Sequence, residues 1–377
     1  MFNNNLKKYL LKKAILNPWK FDKKPIKSYY QKVVVIPSFN EGKGIQQTLL
    51  SISHQKNINF SSLLVIIVIN NSMDCNKNIF NQNKESQSTV NNFKCNYELI
   101  TIDAYDENPL PKKKAGVGLA RRIGFDLSLN FTNQKSILIS LDADTLIHEN
   151  YFKILESHFN NNQINCIIPG IFHQRNVNKI ENNAIIKYEK FLYSTASNIR
   201  NCGSPYGFVT MGSAISFTAT CYIKAGGMPI KNATEDFYFL QNVVKTSSIK
   251  LIKEELVFPS SRTSNRVYLG TGYRITQAKN GFDLNKLNYS INSFKILKSW
   301  ISIGENAFSV PLEKILFQAE KINCKLPDFL FDNNIKKTWN GLQNSCKDTY
   351  QFKKQFHAWF DGLKTHKLLR YFSNLNL

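Results

Sequence analysis

The chain has 377 residues, with 49 Lys+Arg against 27 Asp+Glu for a net charge of +22, and is 42% hydrophobic and 12% aromatic. That apolar share excludes wholesale disorder, and the length suggests two to three domains. The charge implies an anionic partner, such as nucleic acid, a membrane surface or a phosphorylated substrate, without choosing among them, and part of it is plain solvation in Lys- and Asn-rich stretches.

The seven cysteines, Cys75, Cys95, Cys166, Cys202, Cys221, Cys324 and Cys346, contain no CxxC pair. This argues against a disulfide framework and a zinc knuckle, and fits a reducing compartment. The amino-terminal segment is basic but lacks the apolar core and small-residue cleavage site of a signal peptide. The longest apolar run, 63–69, is far short of the ~20 residues needed to span a bilayer. A soluble, cytoplasmic chain is the expectation.

In chain order, residues 1–30 read as a basic arm, with Lys7, Lys8, Lys12 and Lys13 among Leu6, Leu10, Leu11, Ile15 and Leu16. A β-branched strand at 32–36 is followed by helical spacing at Ile45, Leu49 and Ile52. The run LLVIIVI at 63–69 is apolar throughout, as in a strand covered on both faces. The polar, Asn-rich 71–95 reads as a long loop or a partly helical insertion. Strands at 97–102 and 136–141 flank a helix with Val117, Ala120, Ile123, Gly124 and Leu127 on one face. A helix near 147–160, a strand at 166–168, a helix at 180–201, a strand at 213–222, a helix at 234–246 and a strand at 249–257 follow. From about 276 the pattern turns helical. The rhythm predicts an α/β fold, a doubly wound, mostly parallel sheet with a helical carboxyl-terminal extension. Such sheets bind ligands at the carboxyl ends of their strands, so the polar residues there are the ones to read.

The strand at 136–141 runs into Asp142-Ala143-Asp144. Two carboxylates one residue apart can hold one hard divalent cation, Mg²⁺ or Mn²⁺, together with phosphate oxygens. Asp is also simply a good turn-former after a strand. Thr234-Glu235-Asp236 opens a helix, where acidic residues complement the helix dipole and Thr is a good cap. Alternatively, one carboxylate is a general base facing a pocket. Gly226-Gly227-Met228-Pro229 lies just upstream. Lys112, Lys113 and Lys114 precede a helix carrying Arg121 and Arg122, and Arg262 and Arg266 share the loop SSRTSNR; a diphosphate leaving group needs such cations.

Taken in order, VVVIPSFNEG, VIVINNS, GLARRIGFD, SLDADT, AGGM and TEDFYFLQ resemble glycosyltransferase family 2, with the GT-A fold, over roughly residues 32–275. The resemblance implies domains at 1–30 (arm), 31–275 (GT-A domain) and 276–377 (helical region). It also implies a nucleotide-sugar donor, a divalent metal and an inverting single displacement. On it, Pro37, Ser38, Asn40 and Glu41 line the nucleotide pocket. Asn70 and Asn71 stand where the family usually has an Asp touching the base. Arg121 and Asp142 face the donor, and Asp144, with Asp142, holds metal; Lys114, Arg262 and Arg266 are the cations expected at the donor's diphosphate. Asp236 is the base, with Glu235 beside it. The synthase-type QxxRW motif is missing, which argues against a processive synthase. A hexosyl- or N-acetylhexosaminyl-transferase is the expectation, and the +22 charge on a sugar-transferring chain makes envelope or surface glycan synthesis, with a glycan or lipid-linked acceptor, physically sensible. The acceptor pocket is expected to involve Thr210-Met211-Gly212-Ser213 and the carboxyl-terminal region. A nucleotidyltransferase and a non-enzymatic polyanion-binding protein remain as alternatives; no nucleic-acid motif is seen.

Near the carboxyl end, Phe352, Phe356, Trp359, Phe360 and Leu363 recur at helical spacing among Lys353, Lys354, Lys364, Lys367 and Arg370. Such a helix can lie on an anionic membrane together with the basic arm, or bury its stripe in its own protein, which is what surface helices usually do.

Overall fold

The computed structural model describes residues 2–161, 163–264 and 268–374. The chain forms two compact units: residues up to Ile185 with Thr210–Asn280, and Ile186–Val209 with the residues from Gly281 on.

The first unit is built on an eight-stranded sheet of order β3-β2-β1-β4-β7-β6-β8-β5. Its strands are β1 (Lys32–Ser38), β2 (Leu63–Asn70), β3 (Glu98–Ala104), β4 (Ile137–Ser140), β5 (Leu146–Ile147), β6 (Cys166–Ile171), β7 (Ile215–Thr218) and β8 (Ile249–Phe258). The β1–β2, β2–β3, β1–β4 and β6–β8 pairs are parallel, whereas β7 runs antiparallel between β4 and β6 and β5 antiparallel to β8. Every residue of β1 and β2 is buried, which explains their unbroken apolar composition. The strand order reverses at β1, with β2 on one side and β4 on the other, and this opens a crevice at their carboxyl ends.

The helices of this unit are α1 (Phe2–Lys12), α2 (Ile45–Ser53), α3 (Lys77–Asn91), α4 (Val117–Ser128), α5 (Tyr151–Phe159), the start of α6 (Lys179–Asn201), α7 (Ala219–Ala225), α8 (Glu235–Thr246) and α9 (Thr271–Lys279). Three elements differ from the sequence expectation, each for a local reason. The segment expected as a loop or partly helical insertion holds a 15-residue helix, α3, whose buried residues are Asn83, Ser86 and Val90. A mostly polar buried face has no apolar periodicity to detect. The strand expected over 213–222 stops at Thr218, because the Thr218 side chain accepts from Cys221 N–H and starts α7. The helix expected from 147 begins at Tyr151, since Leu146–Ile147 pairs with the end of β8.

The arm is part of this unit. Tyr9 is buried, and its hydroxyl donates to Asp126 of α4 at 2.8 Å. Asp126 also accepts from Ile15 N–H (2.8 Å), the Tyr222 hydroxyl (2.8 Å) and Arg122 Nε (2.7 Å), so a buried carboxylate is fully engaged. Farther along, Trp19 Nε1 donates to the Asn108 carbonyl, and Phe21 bridges to Ile102 at the edge strand β3.

The second unit is helical, with the rest of α6 and with α10 (Ile291–Gly304), α11 (Leu312–Ile322), α12 (Leu326–Asp332), α13 (Ile335–Ser345), α14 (Thr349–Trp359) and α15 (Gly362–Ser373). Its core gathers Trp300, Leu330, Trp339, Phe352, Phe356 and Phe360 among other apolar residues. The aromatic stripe considered above for a membrane is therefore internal: Phe352, Phe356 and Phe360 are buried, Trp359 packs against them, and the lysines face outward. That face cannot also lie in a lipid interface. Among the described residues no helix is long and apolar enough to cross a membrane, and all seven cysteines are free thiols.

Candidate active site

Residues from five segments meet at the carboxyl ends of β1 and β4. Asp142 and Asp144 follow β4 directly. Glu235 and Asp236 open α8, entered through Thr234 at φ +64. A β-branched residue rarely adopts this left-handed backbone, and its side chain does not cap the helix. Such strain collects at functional sites. Thr234 thus is not the helix cap that its residue type suggested.

Arg121, only 2% exposed, joins the two acidic segments: Nη1 donates to Glu235 and Nη2 to Asp142. A rigid guanidinium fork suits this bridging between two carboxylates. Arg121 was expected to approach the nucleotide; its two terminal nitrogens hold protein carboxylates. The bridge sets the spacing of the two carboxylates and, among the described residues, leaves Nε without a protein partner. Gly212 makes room for it, because a Cβ there would lie 2.5 Å from both Nη atoms. Burial raises the Glu235 carboxyl strongly; Arg121 pulls it down, Asp236 and Asp142 push it up, and the result is about 7. Asp236 is likewise raised by burial, against the pull of Arg121. Its Oδ1 accepts from Phe237 N–H at 2.7 Å, and among the described residues it makes no ion pair.

A second cation joins the remaining carboxylates. Arg262, in the loop after β8, donates from Nη2 to Glu41 at 2.6 Å and stands with Nε 2.9 Å from Asp144. Gln174 Nε2 donates to the carbonyls of Asp144 (2.9 Å) and Phe258 (2.8 Å), which ties the end of β4 to the end of β8. Arg266 lies outside the described residues. Lys114 is exposed on the turn before α4.

The loop after β1 is arranged by a residue the sequence reading missed. Asn83 of α3 accepts from Asn40 N–H (2.9 Å) and donates to the Asn70 carbonyl (3.0 Å) and to Asn71 Oδ1 (2.7 Å). Asn70 in turn donates to the Ser38 and Val68 carbonyls, and Asn71 to those of Ser72 and Tyr105. Asn70 and Asn71 are buried and direct their amide hydrogens to protein carbonyls, so they brace the strand ends where base contacts were expected. Pro37 and Ser38 are buried at the end of β1. Among the described residues, Ser38 Oγ, Asn40 Oδ1, Ser140 Oγ, Thr145 Oγ1, Ser213 Oγ and Arg121 Nε are buried polar atoms with no hydrogen-bond partner. Such atoms are rare in folded proteins, and these six lie at or near the carboxyl ends of β1 and β4, the start of β7 and the Arg121 bridge. A surface groove of about 920 Å³ lined by Lys43, Lys84, Glu85, Phe93 and Lys94 is separate from this cluster.

The donor set can be tested for a cation. Among the described residues no three His, Cys, Asp or Glu cluster as a protein cage. Asp144 (27% exposed) and Asp142 (36%) are hard oxygen donors open to solvent. They fit Mg²⁺ or Mn²⁺ held by one or two carboxylates and completed by substrate phosphates.

No family model and no curated protein matches the chain. Solved structures that it resembles include S. aureus TarS 1–349 in complex with UDP-GlcNAc, at 13% identity over 91% of this chain and 92% of that chain, TM-score 0.46. Another is the mannosyltransferase PcManGT from Pyrobaculum calidifontis in complex with GDP-Man and Mn²⁺, at 14% identity over 96% of both chains, TM-score 0.42.

Proposed function

We propose that the chain is an inverting, metal-dependent glycosyltransferase that moves a sugar from a nucleoside-diphosphate donor to an acceptor hydroxyl. The observation that carries the reading is the Arg121 bridge between Asp142 and Glu235. It draws the acidic helix start and the acidic strand end to one crevice, as acid–base chemistry beside a diphosphate requires. Asp236 is the general base. Glu235 is clamped by Arg121, whereas Asp236 is free of ion pairs among the described residues, and burial raises its basicity. Asp236 would take the proton of the acceptor hydroxyl as the oxygen attacks the anomeric carbon and the diphosphate leaves. Asp144, with Asp142, would hold the divalent cation, which when bound supplies charge neutralisation of the departing diphosphate. Arg262 adds a guanidinium for phosphate oxygens. The hydroxyls of Ser38 and Ser140 and the side-chain oxygen of Asn40, buried at the ends of β1 and β4 and without partners among the described residues, are hydrogen-bonding groups left for the donor. A hexose or N-acetylhexosamine donor and a glycan or lipid-linked acceptor of the cell envelope complete the proposal.

The test is Asp236→Asn. Transfer should fall by about 10²–10⁴-fold, the usual cost of losing a general base, with donor binding by calorimetry unchanged. More than a tenth of wild-type rate, or product with retained anomeric configuration, refutes the assignment.

A further inference from the structure

Arg262 and a divalent cation need the same carboxylate. Arg262 Nε stands 2.9 Å from Asp144, and Nη2 is anchored 2.6 Å from Glu41, which is only 4% exposed. The arrangement is built, since Gln174 fixes both the Asp144 carbonyl and the end of β8, the strand that leads to Arg262. Arg262 itself is 41% exposed, so its guanidinium has room to move.

We propose that Arg262 is a built-in competitor for the cation site, which makes cation binding and nucleoside-diphosphate binding mutually dependent. The proposal rests on the reading of Asp144 as the cation ligand. Asp144 cannot serve a cation fully while it holds a guanidinium, because two positive charges on one carboxylate repel. A cation arriving alone therefore has to break the Arg262–Asp144 pair with nothing to replace it. Accompanied by a diphosphate, the released guanidinium gains phosphate oxygens, which accept its forked N–H groups well. Glu41 keeps Arg262 within reach during the exchange. The cost that opposes the cation alone is thus recovered when both ligands are present, and by linkage each ligand strengthens the other by the same factor. In the resting protein Arg262 also neutralises Asp144 and Glu41, which would otherwise face each other as like charges.

The experiment measures Mn²⁺ binding by the free-ion electron paramagnetic resonance signal, alone and with UDP or GDP, and does not depend on turnover. Wild type should bind Mn²⁺ weakly alone and more tightly with one of the nucleotides. Arg262→Gln should bind Mn²⁺ alone about five- to tenfold more tightly, the scale of a partly exposed ion pair plus removal of a nearby cation, and its nucleotide coupling should shrink. Arg262→Lys keeps the charge and should stay close to wild type. If Arg262→Gln binds Mn²⁺ no more tightly than wild type, or if Arg262→Lys tightens as much as the Gln variant, the proposal is overturned. Asp144→Asn separates the two levels. Loss of Mn²⁺ binding there, with no effect of Arg262→Gln, overturns the competition alone; unchanged binding there overturns the cation reading and the competition with it.

Discussion

Replacing Glu235 with Gln tests the electrostatics of the crevice through stability alone. Glu235 is 3% exposed beside Asp236 and Asp142, with Arg121 as its counter-ion. Burial, opposed by Arg121 and helped by the two aspartates, lifts its carboxyl from the ordinary 4.5 to about 7 in the folded protein. Between these values the folded state holds a proton that the unfolded state has lost. Unfolding then releases a proton, so stability falls as pH rises through this window, is full below 4.5, and is lost above about 7. At ~1.4 kcal/mol per pH unit, that interval is worth roughly 3 kcal/mol. Gln keeps an oxygen for Arg121 and cannot titrate. Urea unfolding of both proteins at pH 4.5, 6 and 8 cancels the contribution of groups remote from the crevice and reads Glu235 together with the carboxylates coupled to it. The difference in stability should shift toward the Gln variant by roughly 3 kcal/mol from the lowest to the highest pH. A difference that stays flat, or shifts the other way, would mean that Arg121 overcomes the burial and keeps Glu235 ionised throughout.

Three further outcomes follow from the packing. Gly212→Ala drives a Cβ to 2.5 Å from the Arg121 guanidinium, which two carboxylates hold in place, and should cost about 1–3 kcal/mol in denaturant unfolding; activity in a donor-turnover assay should fall with it. Asp126→Ala strands the buried Arg122 charge and three other donors, so a loss of about 3–5 kcal/mol is expected in the same measurement. Phe356→Ala should cost about 3–5 kcal/mol as a core truncation and leave vesicle co-sedimentation at low salt unaltered.

The sheet was legible because its central strands are covered on both faces, and continuous apolar runs such as 63–69 have few other uses. The acidic motifs were legible as ends of elements, since Asp142 follows a strand and Glu235 begins a helix. Their pairing was not. Arg121 and Glu235 are 114 residues apart, and no local periodicity says which carboxylate a buried arginine will choose. Asn83 was hidden for a different reason, standing in an Asn-rich stretch where a structural amide has the same composition as a solvated one. The carboxyl-terminal stripe shows the converse ambiguity. Aromatics at helical spacing among lysines describe equally a helix on a membrane and a helix on its neighbours, and only the packing around Phe356 separates them.

The buried Asp126 has a consequence for how the chain is made. Its partners are far apart in the chain: Tyr9 and Ile15 lie ahead of the first strand, whereas Tyr222 comes more than two hundred residues later. Arg122, which grips Asp126, also donates to the carbonyls of Gly226 and Met228, just ahead of Glu235. A nascent chain that ends before residue 222 therefore cannot complete this network, and the helix carrying Arg121 stays short of its supports until the AGGM segment leaves the ribosome. A fragment that lacks Tyr222 leaves donors of this network unpaired and has less of the fold to cover strands as apolar as β2. Truncations between residues 130 and 222 should accordingly yield insoluble fragments, not small stable domains.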